Sequence, residues 1–99
     1  MRLTQQQITH IRQSVAELAG SAARVWLFGS RLSDQARGGD VDLLLDMDEP
    51  VMEPAALAAR LSARVSRGLY GRKVDVLLKA PNLVCLPIHN RALAEGICL

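Results

Sequence analysis

From Thr4 to Ala19 the apolar residues Ile8, Ile11, Val15 and Leu18 recur at steps of three and four, while Gln, Arg and Glu fill the other positions. This spacing predicts an amphipathic helix with Thr4 as N-cap, a capping box through Gln7, and Gly20 as its stop. Arg24-Val25-Trp26-Leu27-Phe28 is a short apolar run rich in β-branched and aromatic residues, which reads as a buried strand ended by Gly29. Residues 30–35 suit one or two helical turns, and Ala36-Arg37-Gly38-Gly39 reads as a turn. A second strand is expected over residues 40–46, with Val41, Leu43 and Leu45 on one face and Asp40, Asp42 and Leu44 on the other. After an acidic loop, Leu57, Leu61, Val65 and Leu69 recur every fourth residue and predict a helix from Ala55 to the Gly68 to Gly71 region. Residues 73–78 read as a third strand. From Pro87 onward, Ile88, Ala92, Leu93 and Ile97 stand at helical spacing, so a final helix is expected to cover the sheet. The order of elements defines an α/β (α+β) class, a small mixed sheet of three to four strands packed with helices in one domain over residues 1–99.

Composition narrows the function classes. The chain has 99 residues, 49% hydrophobic and 22% charged, which is the make-up of a folded domain rather than a disordered one. A domain this small buries only about 60–65% of its unfolded surface, so a partner subunit is expected to add stability. The net charge of +2 includes no run of five or six Lys or Arg, and Trp26, Phe28 and Tyr70 are the whole aromatic set. Neither a polyanion-tracking surface nor a stacking platform for single strands is indicated, which disfavours nucleic acid as partner. Cys85 and Cys98 form no disulfide framework and no zinc motif. No leader-like apolar stretch opens the chain, and no segment approaches the roughly 18–20 apolar residues of a membrane span. A cytoplasmic location without membrane contact is expected.

The candidate chemistry lies in three places. Gly29-Ser30 stands where a strand gives way to a helix; glycine permits close backbone approach, and the open N–H groups of a following helical turn attract an anion such as phosphate. Alone, the pair is ordinary turn chemistry. Asp40 and Asp42 alternate in an otherwise apolar strand, so their carboxylates are expected on one side, about 6–7 Å apart along the chain. Carboxylates are hard ligands suited to Mg²⁺, which keeps waters and takes further ligands from substrate phosphates. Asp75 interrupts the third strand in the same way, between Val74 and Val76, and its plainer reading is a surface acid paired with Lys73 or Arg72. If strands one and two run antiparallel, and a helical crossover makes strands two and three parallel, Gly29, Asp40, Asp42 and Asp75 meet at one sheet end.

The text Trp26-Leu27-Phe28-Gly29-Ser30-Arg31, then Gly39-Asp40-Val41-Asp42-Leu43-Leu44-Leu45, then Val74-Asp75-Val76-Leu77, resembles the DNA polymerase β-like nucleotidyltransferase superfamily, and within it the minimal nucleotidyltransferases. The likeness covers residues from about 24 to 97. The nine residues between Ser30 and Asp40 are one fewer than in many minimal members. The resemblance implies the polymerase β-like nucleotidyltransferase fold and transfer of AMP from ATP to a hydroxyl. Asp40, Asp42 and Asp75 would be catalytic and hold two Mg²⁺ ions, with Gly29, Ser30 and Arg31 binding the nucleotide. Larger relatives carry a second domain for the acceptor, which 99 residues leave no room for, so the acceptor is expected on a partner. Minimal members of this look are commonly antitoxins paired with a small helical HEPN toxin, which implies a tyrosine of that toxin as acceptor. The alternative is a non-catalytic antitoxin that neutralises its partner by forming a complex. His10 and His89 read as surface or packing histidines, Trp26 and Phe28 as core residues, and Asp48 and Glu49 as solvated loop acids.

Overall fold

Thr4 closes the first turn of helix α1 (Gln5–Ala19) in the computed structural model, which describes residues 3–28, 41–83 and 87–99. Its Oγ1 accepts from the Gln7 N–H at 3.1 Å, and Gln7 Oε1 accepts from the Thr4 N–H at 2.8 Å. The expected capping box is therefore formed, and it satisfies two donors that a helix start leaves open. Gly20 ends α1 at φ 97°, a backbone region that residues with a Cβ rarely adopt.

Strand β1 (Arg24–Phe28) pairs antiparallel with β2 (Val41–Asp46), and helix α2 (Pro54–Gly68) returns the chain to β3 (Val74–Lys79), which runs parallel to β2. Helix α3 (Pro87–Glu95) follows, and β4 (Ile97–Cys98) pairs antiparallel with the other side of β1. The sheet order is β3-β2-β1-β4, so this is an α+β fold around a mixed four-stranded sheet. Ile97 departs from its sequence expectation. It lies opposite Leu27 in β4 rather than on the last helix, and the Leu99 N–H donates to the Val25 carbonyl at 2.9 Å. An open β1 edge offers unpaired backbone groups to any neighbouring extended segment, a partner that side-chain periodicity does not report.

One face of the sheet carries Val25, Leu27, Val41, Leu43, Leu45, Val74 and Leu78, which pack against Ile11 and Val15 of α1 and Leu61, Val65 and Leu69 at α2. At about 25 cal/mol per Å² of apolar area, this face is the main source of stability. Leu44 stands on the opposite face, in register with Trp26 and Leu77, and is also fully buried. Its cover comes from α3, which contacts β1 and β2 and is tied to the sheet by His89, whose Nε2 hydrogen-bonds the Leu78 carbonyl at 3.0 Å.

The end of the sheet where β1 begins is held by charge. Arg24 pairs with Asp46, opposite it in register, at 3.1 Å and with Asp48 at 2.9 Å, while Lys79 approaches Asp46 at 3.8 Å. Asp48, expected as a solvated loop acid, is thus a partner of Arg24. The hydrogen bond from Arg24, reinforced by its charge, holds the Asp48 carboxyl below its ordinary value of 3.8 and in turn raises the Arg24 guanidinium. A carboxyl depressed on folding stabilises the native state above its unfolded pKa, and that contribution is lost as pH falls through the folded pKa. Thermal melts should therefore show wild-type protein losing more Tm below pH 4 than Asp48→Asn does. The expected difference is small, because the pair is exposed, and parallel Tm curves would remove the assignment.

Candidate functional site

The register of the parallel pair decides the geometry. Val41 lies beside Val74, Asp42 beside Asp75 and Leu43 beside Val76. Because Val41, Leu43 and Val74 face the helical core, strand alternation puts Asp42 and Asp75 together on the other face, on adjacent strands about 4.8 Å apart. Both sit next to the N-terminal residue of their strand. Phe28, the last residue of β1, lies opposite Asp42, so the chain leaves β1 toward Gly29 at the same end of the sheet. Asp42 is half-buried and Asp75 exposed. α3 leaves this corner of the face open enough for a carboxylate to reach solvent.

Two like charges at matching positions on neighbouring strands repel, at a cost of roughly 0.2–1 kcal/mol. A divalent cation reverses that sign. The donor set fits the expected group: two carboxylates from adjacent strands are hard oxygen ligands of the kind Mg²⁺ takes alongside water and substrate phosphates. Among the described residues, no cluster of three or more His, Cys, Asp or Glu is assembled, and the third expected ligand, Asp40, falls outside them. Gly29, Ser30 and Arg31 also lie outside the described residues, as do the short helix and the turn expected over 30–39.

The surface-pair reading of Asp75 finds no support: among the described residues no salt bridge joins it to Lys73 or Arg72. Asp46 shares the face of Asp42 but stands four residues on, about 13 Å away. Its ion pairs with Arg24 and Lys79 make it part of the opposite end of the sheet. Both histidines are packing groups: His10 Nε2 hydrogen-bonds the Arg64 carbonyl at 2.8 Å, and His89 is buried where α3 meets the sheet. Trp26 lies in the sheet against Leu44 and Cys98, with its indole Nε1 shielded from solvent. Two features escaped sequence reasoning. Asn82 clamps the loop after β2 through both backbone groups of Val51, at 2.9 and 2.8 Å, and Tyr70 takes a positive φ of 60°. The only sequence signal for the second was Gly71, which stands just beyond the end of α2.

An open cavity of about 470 Å³ runs between α1 and the β4 edge, lined by Arg12, Gln13, Ala16, Ser21, Cys98 and Leu99 among others. β4 and β3 are opposite edges of the sheet, so this cavity is not at the acid pair, and no Asp or Glu is among its lining residues.

Antiparallel β1–β2, parallel β2–β3 and paired strand acids at the end where β1 leaves the sheet define an α+β domain with an acidic corner. The family model described as the nucleotidyltransferase domain matches residues 8–97, and the chain belongs to that family. A comparison with the curated proteins gave no match. Among the described residues, no helix is long and apolar enough to cross a membrane.

Proposed function

We propose that this nucleotidyltransferase domain transfers AMP from ATP to a hydroxyl, in the manner of a protein adenylyltransferase. We further propose that the acceptor is a tyrosine of a HEPN-type toxin partner, whose modification makes this chain an antitoxin. The observation that carries the chemical part is the register of Asp42 with Asp75 on one face of the sheet. In this reading Asp40, Asp42 and Asp75 hold two Mg²⁺ ions. Bound divalent cations supply neutralisation of the triphosphate and acidify the acceptor hydroxyl.

The protein residues position and hold. Ser30 and the backbone at Gly29 grip the β- and γ-phosphates, and Arg31 adds a charge-assisted contact. The acceptor oxygen forms a bond to the α-phosphorus, the bond from that phosphorus to the bridging oxygen of the β-phosphate breaks, pyrophosphate departs with the electron pair, and the hydroxyl proton passes to solvent. The antitoxin role rests on the likeness to minimal members and on the expectation that so small a domain acts with a partner.

Two measurements test the two parts. Millimolar ATP with Mg²⁺ should raise the Tm, since ligand at a hundred times its Kd stabilises by about 2.7 kcal/mol; an unchanged Tm would remove the nucleotide site. Intact mass of a co-expressed HEPN partner should rise by one or more AMP units on a tyrosine. An unmodified partner would remove the acceptor assignment and leave the nucleotide site standing.

A further inference from the structure

Strand alternation and register place Phe28 in the same row as the acid pair. Val25 and Leu27 face the helical core, so Trp26 and Phe28 lie on the other face of β1, which is the face of Asp42 and Asp75. Phe28 stands directly opposite Asp42, and Asp42 stands beside Asp75, so the three occupy one line across β1, β2 and β3. Cβ atoms of opposite residues in an antiparallel pair are about 4.5–5.5 Å apart, which brings the ring against the Asp42 side chain. Leu44, the next residue of β2 on this face, is fully buried and in register with Trp26. Asp42 thus has apolar neighbours on two sides, along its own strand and toward β1. Its neighbour toward β3 is the carboxylate of Asp75.

The two acids differ accordingly. Asp42 is half-buried, as Phe28 is, whereas Asp75 is exposed on β3, an edge strand of the sheet. Asp46 gives the contrast on the same strand and face: its register neighbours are Arg24 and Lys79, cations that approach to 3.1 and 3.8 Å. A ring beside a carboxylate displaces water from that side, and the less polar surroundings strengthen the attraction of the carboxylate for a cation. Apolar groups around a metal site set its solvent access and its affinity in this way. We propose that Phe28 is a positioning residue whose ring closes the β1 side of the acidic corner to water and holds the Asp42 carboxylate toward Asp75, presetting the pair for a divalent cation. The inference rests on the metal-dependent reading above and adds a residue that acts through Asp42.

The test titrates Mn²⁺, followed by the electron paramagnetic resonance signal of the free ion, into wild type, Phe28→Leu, Phe28→Val and Phe28→Thr, with and without α,β-methylene-ATP. Phe28→Leu keeps an apolar group beside Asp42 and should bind Mn²⁺ as wild type does. Phe28→Thr has nearly the shape of Phe28→Val but carries a hydroxyl that admits water. It should bind about tenfold more weakly than wild type, the lower end of what losing a supporting neighbour costs a metal site, with Phe28→Val in between. In EDTA all three variants should melt below wild type, since each removes packed apolar volume. A purely structural role for the ring would appear in those melts and leave the Mn²⁺ affinity of the folded variants equal. Equal affinity in wild type, Phe28→Val and Phe28→Thr therefore overturns the proposal, as does a Phe28→Leu as weak as Phe28→Thr. If Phe28→Thr does not fold, Phe28→Val must still bind more weakly than Phe28→Leu. Wild type that takes up no Mn²⁺, with or without the analogue, removes the metal-dependent reading itself.

Discussion

Asp42→Asn is expected to lose at least about a hundredfold in nucleotidyl transfer, the scale of removing one preorganised charge-stabilising group. Asp42 and Asp75 occupy matching positions on parallel strands, and the substitution takes away half of the described carboxylate pair that would hold Mg²⁺. Asp75→Asn should lose transfer to the same extent. Asp46→Asn is the informative control, since Asp46 lies on the same face but is tied to Arg24 and Lys79. It should keep full transfer and lose a little stability. Transfer assays with labelled ATP, alongside melts with and without Mg²⁺, read all of these together. Wild-type transfer rates in both Asp42→Asn and Asp75→Asn would detach the acidic corner from catalysis, and continued neutralisation of the partner by those variants would point to binding alone.

Gly68→Ala should lower the Tm by about 5–15 °C, although alanine is ordinarily the better helix residue by up to about 1 kcal/mol. A methyl group built at Gly68 falls within 3.0 Å of Cγ, Cδ2 and Nε2 of the His10 imidazole. That ring is not free to swing aside, because its Nε2 hydrogen-bonds the Arg64 carbonyl at 2.8 Å, where α1 and α2 pack together. Either the helices separate or the hydrogen bond is lost, and overpacking of this kind costs about 1–3 kcal/mol. The double variant His10→Ala/Gly68→Ala should recover part of the loss, with a coupling energy of about 0.5–3 kcal/mol expected for groups in contact. A Gly68→Ala protein that melts higher than wild type would show that the ring does not occupy this space.

Much of the architecture was legible in the residues themselves. Apolar steps of three and four marked α1 and α2, Thr4 and Gln7 marked the capped start, and alternation in Val41 to Asp46 separated a core face from an acidic one. These are properties of one segment at a time, and a helix or strand expresses them through its own repeat. The likeness carried by the aspartate-bearing strands is matched by the family assignment over residues 8–97. What no single segment contains is a partner. That Asp42 stands beside Asp75 rather than one residue away follows from the register of β2 against β3, and a slip of one residue would turn one of the two carboxylates into the core. Ile97 became a strand because the edge of β1 was open to it, Asp48 became an ion pair because Arg24 faced it, and Tyr70 took a glycine's place because α2 ended one residue before Gly71 could serve. The sequence by itself determined the elements and the chemical kinds of their faces, since those depend on neighbours along the chain. Only the tertiary structure decided which groups meet, because meeting depends on pairing between segments that local periodicity does not encode.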